Sequence, residues 1–291
     1  MSHKIETMSI VIKKTGVAGA GAMGAGIAQV FAQANLAVVL FDVNAAQLEK
    51  AKTEIEKNLA FAVSKSKISE ADKTAALSRI VFSADINSLK SDLIVEAIVE
   101  KLDAKRELFQ KLAEINSAET ILATNTSSIP VTRIAKDVSN PQRVVGMHFF
   151  NPAHLMKLVE VISGVETSAE VAETIKQLSL TIGKTPIMCK DSPGFIVNRV
   201  ARHYYVESLK MLEEKVASNE TIDALMESVG FKMGPFKLMD HVGNDINFAV
   251  TSSLYESFHQ DAKFRPSRIQ QQKVDAGHLG KKTGKGFYDY L

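Results

Sequence analysis

The sequence predicts an α/β domain built on an open, mostly parallel sheet, followed by an all-α C-terminal domain. Two observations carry this. Up to Cys189, short apolar and β-branched runs alternate with helical stretches, as in a parallel sheet with helices on both faces. After Asp191-Ser192-Pro193-Gly194 no convincing strand appears, and apolar residues return at helical spacing. The boundary therefore falls near residue 191, giving domains 1–191 and 192–291.

The first strand reads Val17-Ala18-Gly19 after a small Thr15-Gly16 pair. It should pack less well than a Val/Ile run, though Ala and Gly suit a crowded central strand. Further strands are predicted at Ala37 to Asp42, Leu93 to Ile98, Ile121 to Thr124, Val144 to Phe149, Leu158 to Ile162 and Thr185 to Cys189. Several are apolar almost throughout, as strands covered on both faces are. Helical patterns lie between them at Gly24 to Ala34, Ala45 to Ser64, Leu102 to Ile115 and Ala169 to Leu180. Ser192 at an N-cap and Pro193 at the first helical position then signal a helix carrying Val197, Val200, Tyr204, Tyr205 and Leu212. Thr221 to Ser228 and Leu238 to Phe258 also read as helix, with a turn at 231–236. The tail Gly280 to Gly286 is too rich in glycine for a helix.

Composition excludes several function classes. Lys plus Arg is 35 against 33 for Asp plus Glu, so the formal net charge is +2. A nucleic-acid binder would show a stronger basic balance. No apolar run reaches the roughly 18 residues of a membrane span. Cys189 is the sole cysteine, which leaves no internal disulfide and no cysteine-rich metal site, and fits a reducing compartment. Met1 to Lys14 lack a signal-peptide core and an Arg-rich transit character, so a cytoplasmic protein is expected. Met8 is an alternative start, and the residues before it look dispensable.

Residues 19–24 read Gly19-Ala20-Gly21-Ala22-Met23-Gly24, a G-x-G-x-x-G between a short strand and an apolar helix. Gly19 permits the tight turn, Gly21 leaves room for a pyrophosphate, and Gly24 lets the helix pack on the strand. The second strand ends in Asp42, 18 residues past Gly24. A carboxylate there accepts both ribose hydroxyls and repels a 2′-phosphate, so NAD is preferred over NADP. The first domain is thus Rossmann-like.

A nicotinamide site that oxidises a carbinol also needs a general base, and His is the usual choice near neutral pH. Of the seven histidines, His148 stands out, in a predicted strand that runs into an Asn151-Pro152 turn. Glu160 lies inside the next apolar strand, where a carboxylate is costly unless paired. Adjacent strands can bring Glu160 to the imidazole. From periodicity alone an acid/base pair and a purely structural pair are equally open. The segment Ala123 to Ser128 follows another strand, and its hydroxyls and amides either bind a substrate oxygen or cap a helix before Ile129-Pro130. The Asn125-Thr126-Ser127 sequon carries no weight without a signal peptide.

Five stretches in order resemble the L-3-hydroxyacyl-CoA dehydrogenases. They are the glycine loop, the Asn125-Thr126-Ser127-Ser128 turn, His148-Phe149-Phe150-Asn151-Pro152, the run Ser192 to Arg199, and Lys281 to Tyr288. Length and the lack of a transit peptide are most similar to the bacterial 3-hydroxybutyryl-CoA dehydrogenases. The resemblance implies His148 as general base or acid, Glu160 as its partner, and Ser127 and Asn198 holding the substrate's C3 oxygen and acyl chain. It implies that Glu100, Lys105, Asn151 and Lys282 line the NAD site or its closure, Ser127 beside them. Lys65 matches a lysine that contacts CoA; Asn58 falls where the family has a serine contact. Without the resemblance, Lys65 and Lys67 read as the solvated face of a helix. Lys237 stands where the family often has Glu. The expected substrate is an acyl-CoA entering between the two domains, and the expected assembly is a homodimer through the helical domain, with no nucleic acid, membrane or metal. An L-gulonate-type sugar-acid dehydrogenase and a non-enzymatic NAD-binding relative remain as alternatives.

Overall fold

Among the described residues eight strands form one sheet. A computed structural model describes residues 10–290, so the alternative start at Met8 lies outside them. The chain divides into two compact units, one ending at Ser192 and one beginning at Pro193.

In chain order the first unit runs β1 (Lys14–Ala18), α1 (Ala22–Gln33), β2 (Ala37–Phe41), α2 (Ala45–Ser64), α3 (Glu70–Ser78), β3 (Ile80–Ser83), β4 (Leu93–Glu96) and α4 (Leu102–Ile115). It continues with β5 (Ile121–Thr124), α5 (Val131–Ala135), β6 (Val144–Phe149), β7 (Leu158–Ser163), α6 (Ala169–Thr181) and β8 (Thr185–Lys190). The sheet order is β3-β2-β1-β4-β5-β6-β7-β8, and every neighbouring pair is parallel except β6 with β7. The chain winds out from β1 to β3, then restarts on the far side of β1 with β4. That reversal is the switch point where such sheets bind ligands, beyond the carboxyl ends of their strands.

β1 is longer than its sequence suggests, beginning at Lys14, which pairs with Ala37. Its small residues are a condition of its central place. A Cβ on Gly16 would lie 2.8 Å from Leu89 Cδ2, and Thr15, Val17 and Ala18 are fully buried. The expected loose packing is therefore not found.

Two unpredicted elements precede β4. Helix α3 carries little apolar periodicity, but Ser69 and Asp72 form a capping box at its start. β3 follows directly as a half-exposed edge strand. The short α5 was also not predicted; Asp191 caps it, accepting the N–H groups of Val131 at 3.0 Å and Thr132 at 2.8 Å. β8 is the opposite edge and largely exposed, so Cys189 is half-buried, not a core residue. Burial pushes its thiol up to about 12, with Glu160 and Asp191 adding to the effect. Lys65 and Lys67 are not on a helix face but in the turn that ends α2.

The second unit holds α7 (Val197–Glu213), α8 (Asn219–Ser228), α9 (Pro235–Val242), α10 (Asn244–Ser257) and α11 (Arg268–Asp275). Its first helix starts at Val197, not at Pro193, because Gly194 and Phe195 take positive φ, +72° and +48°, and form a turn. The predicted helix from Leu238 to Phe258 is two helices, broken at Gly243, whose φ of +106° no helix accepts. The turn before α9 ends at Gly234, so Pro235 and Phe236 are helical. α11 is almost wholly polar apart from Ile269 and Val274, so apolar periodicity does not reveal it. Tyr205, Leu209, Ile222, Phe236 and Met239 form the core. Buried Asp240 fixes the glycine-rich tail by accepting the N–H groups of Phe287 and Tyr288, each at 2.9 Å. Among the described residues no helix is long and apolar enough to cross a membrane, and no cluster of His, Cys, Asp and Glu has the form of a metal site.

Candidate active site

The glycine loop leaves β1 at the switch point. Gly19 has φ +103°, and a Cβ there would meet the Ala97 carbonyl at 2.6 Å. A Cβ on Gly24 would lie 1.7 Å from the Gly19 carbonyl oxygen. Above Gly21, by contrast, a Cβ would meet nothing within 4 Å. Gly21 is the N-cap of α1, and no acidic residue occupies the first turn. An open cradle beside unpaired helix N–H groups suits a pyrophosphate. Asp42 stands next to it, its Oδ2 accepting the Ala20 N–H at 2.8 Å and its Oδ1 the Asn44 N–H at 2.9 Å. Each oxygen keeps a lone pair for a ribose hydroxyl.

Beside the loop lies a carboxylate network. Glu96, the last residue of β4, is 0 % exposed. It accepts Lys105 Nζ at 2.5 Å, the Ile98 N–H at 2.8 Å and Thr124 Oγ1 at 2.7 Å. Burial pushes its carboxyl above the ordinary range, with Lys105 pulling the other way. Lys105 Nζ also lies 3.1 Å from Glu100 Oε2. Burial pushes Glu100 up too, but Lys105 and then the hydrogen bonds from Thr126 and Ser127 outweigh it and hold it low. Glu100 Oε1 receives Thr126 Oγ1 at 2.6 Å, the Ser127 N–H at 2.9 Å and the Ser128 N–H at 3.2 Å. The turn after β5 is therefore tied to the segment after β4. It is also tied to β6, because Asn125 Oδ1 accepts the Phe149 N–H at 2.8 Å.

His148 and Glu160 face each other across the antiparallel β6–β7 pair. His148 Nδ1 is 2.8 Å from Glu160 Oε2. The His148 side chain is 7 % exposed and that of Glu160 only 1 %. With Nδ1–H directed at the carboxylate, Nε2 is the ring nitrogen that carries the lone pair able to take a proton. The Phe150 ring packs against the imidazole at 4.5 Å between centroids. Beyond β6 the segment 151–156 is pinned by Lys184, whose Nζ donates to the Ala153 and Met156 carbonyls at 2.6 and 2.8 Å.

A cavity of about 780 Å³ opens between the glycine loop, α1, α2 and the segment after β6. Asn58, Lys67, Asn151 and His154 line it, whereas Lys65 does not. Lys65 instead lies over the Phe61 ring at 5.5 Å. Burial, then Lys184, hold His154 below the usual imidazole range. Gln29 lines the same cavity, is 2 % exposed, and its Oε1 has no hydrogen-bond partner. In the second unit Asn198 lies in the first turn of α7. Lys282 pairs there with Asp245, Nζ to Oδ1 at 2.6 Å, and Lys237 pairs with Glu227 at 2.9 Å.

Residues 14–192 match the family model described as 3-hydroxyacyl-CoA dehydrogenase, NAD binding domain, and residues 194–290 match the corresponding C-terminal domain. The chain belongs to the 3-hydroxyacyl-CoA dehydrogenase family. It is 48% identical over 285 residues to the 3-hydroxyadipyl-CoA dehydrogenase of Escherichia coli K12, covering 97% of this chain and 60% of that one. It thus spans about three fifths of that relative's length. It is 43% identical to a probable 3-hydroxybutyryl-CoA dehydrogenase of Deinococcus radiodurans, covering 95% of this chain and 100% of the other. The crystal structure of (S)-3-hydroxybutyryl-CoA dehydrogenase from Ralstonia eutropha superimposes with a TM-score of 0.93 at 40% identity, over 97% of this chain and 100% of that one.

The cofactor of this 3-hydroxyacyl-CoA dehydrogenase fold is NAD. Four site features escaped sequence reasoning. Glu96 carried a signal like that of Glu160, a carboxylate in an apolar strand, and was readable. Asn125 and Lys184 act by bonding backbone groups distant in sequence, and Gln29 by its burial beside the cavity, which no residue spacing announces.

Proposed function

We propose that this chain is an NAD-dependent L-3-hydroxyacyl-CoA dehydrogenase, interconverting a 3-hydroxyacyl-CoA and its 3-oxoacyl-CoA. The observation that supports it most is the buried His148–Glu160 pair at the carboxyl edge of the sheet that carries the glycine loop. Bound NAD supplies the hydride acceptor. His148 Nε2 takes the C3 hydroxyl proton, and the Glu160 carboxylate stabilises the imidazolium that results. In the reverse direction His148 returns the proton. Ser127 and Asn198 hydrogen-bond the C3 oxygen and position the acyl chain. Asp42 holds the adenosine ribose, and residues 19–24 cradle the pyrophosphate. Glu100 and Asn151 border the nicotinamide end, and Lys282 contributes to closure. Lys105 is sealed from solvent, so it acts by fixing Glu100.

The CoA portion occupies the cavity lined by Asn58, with Lys67 on its wall and Lys65, over the Phe61 ring that also lines it, meeting its phosphates. The orphan Gln29 Oε1 is an acceptor suited to a pantetheine amide N–H. The helical unit exposes Val200, Leu225, Val229, Phe231 and Ile246, which supports a homodimer through this unit; light scattering that returns a monomer at micromolar concentration would reject it.

The test of the function is oxidation of 3-hydroxybutyryl-CoA by the native chain and by His148→Gln. Turnover should fall by about 10²–10⁴-fold while NAD affinity, measured by calorimetry, stays close to native. Equal turnover removes His148 from the mechanism.

A further inference from the structure

Arg202 lies in α7, one turn beyond Asn198, inside the helical unit. It is 3 % exposed. Its Nη1 donates to the Asn247 carbonyl at 2.8 Å and to Thr251 Oγ1 at 2.9 Å. These contacts fix the guanidinium against α10. The Tyr205 ring lies 4.9 Å from its central carbon. Among the described residues it has no carboxylate partner. Burial pulls it down to about 10, which still leaves a cation at neutral pH.

The contrast with Lys105 is informative. That ammonium is equally buried but sits between Glu96 and Glu100. Arg202 has no anion, so two hydrogen bonds and one ring offset only part of its desolvation cost. The unused edge of Arg202 has a particular shape. Nε is buried with no hydrogen-bond partner. Nη2 makes no hydrogen bond either and, unlike Nε, is not closed off from solvent. Nε–H and Nη2–H are the parallel pair that a carboxylate takes side-on, with both oxygens.

We propose that Arg202 determines acyl-chain specificity by binding a terminal carboxylate, so that the substrate class is a dicarboxylic acyl-CoA ester. The inference rests on the dehydrogenase reading, in which Asn198 holds the C3 oxygen. Residues four apart share one helix face and are separated by about 6 Å along the axis. Helical side chains lean toward the N-terminus, the direction in which Asn198 lies from Arg202. In a six-carbon dicarboxylic chain the far carboxyl carbon is three bonds from C3, about 4 Å when each bond is near 1.5 Å. A hydrogen bond of about 2.8 Å then closes the gap. A butyryl chain ends at C4 and offers no anion.

The test compares 3-hydroxyadipyl-CoA with 3-hydroxyhexanoyl-CoA, equal in length but lacking the carboxylate, by kcat/KM for NAD reduction. 3-Hydroxybutyryl-CoA serves as the reference substrate. The native chain should prefer the dicarboxylic ester by about 10- to 100-fold, the range of a charge-assisted contact. Arg202→Met should collapse that ratio to near one, and Arg202→Lys should give an intermediate value. A purely structural role would lower both esters together and leave the ratio intact, which overturns the proposal. So does equal use of both six-carbon esters by the native chain, a comparison that needs no variant to fold. If none of the three CoA esters turns over, the dehydrogenase reading itself fails, and this inference with it.

Discussion

Replacing Lys105 by Met keeps the stem and removes the charge. The ammonium lies 2.5 Å from Glu96 Oε1 and 3.1 Å from Glu100 Oε2. Glu96 would keep the Ile98 N–H and the Thr124 hydroxyl but lose its cation while fully buried. Breaking a buried pair from one side costs roughly 3–5 kcal/mol. At about 2–4 °C per kcal/mol for a domain of this size, the melting temperature should fall by roughly 6–20 °C at pH 7. Glu96 already has its carboxyl pushed upward by burial, and losing Lys105 pushes it further. A carboxyl raised in the folded state penalises folding above that raised value. The penalty is relieved as pH falls through it, because the protonated acid is tolerated. The gap between native and variant melting temperatures should therefore narrow on acidification. Circular-dichroism melts across pH provide the assay. A drop of less than about 2 °C at pH 7, or a gap that widens in acid, would refute the reasoning.

Three further substitutions bear on the site. Glu160→Gln should lower turnover, since the imidazolium formed in the reaction loses the carboxylate 2.8 Å from Nδ1; turnover equal to the native chain's contradicts the pairing. Asp42→Ala should weaken NAD more than NADP, and it should loosen the Ala20 turn that Asp42 holds at 2.8 Å; equal losses for both dinucleotides, by fluorescence titration, contradict the ribose assignment. Gly24→Ala places a methyl 1.7 Å from the Gly19 carbonyl oxygen, so the loop must shift. It should cost about 1–3 kcal/mol together with NAD binding, and native NAD affinity would show that the loop tolerates the side chain.

Much of the sheet was legible because its strands are buried on both faces and read as apolar runs. Leu93 to Glu96 and Val144 to Phe149 are examples, each wholly buried. β3 and α3 were not, since an edge strand and a half-exposed helix carry only a weak apolar pattern. In the helical unit, the breaks were harder than the helices. Gly243 interrupts an otherwise continuous pattern through its backbone angle alone. At the site, the glycine loop, Asp42 and His148 were visible as residue types at strand ends, and Glu160 as a carboxylate inside an apolar strand. The network joining Glu96, Lys105 and Glu100 links residues on three segments, and only the fold brings them together. Arg202 gave no signal at all: one arginine in an amphipathic helix reads as solvent-facing until its burial is known.

The central claim is that a CoA ester is reduced and oxidised at C3 with NAD. The most direct measurement is NADH consumption with acetoacetyl-CoA, run beside free acetoacetate. Fast turnover with the CoA ester alone is the predicted result. No turnover with either compound, while NADH still binds, would contradict the account.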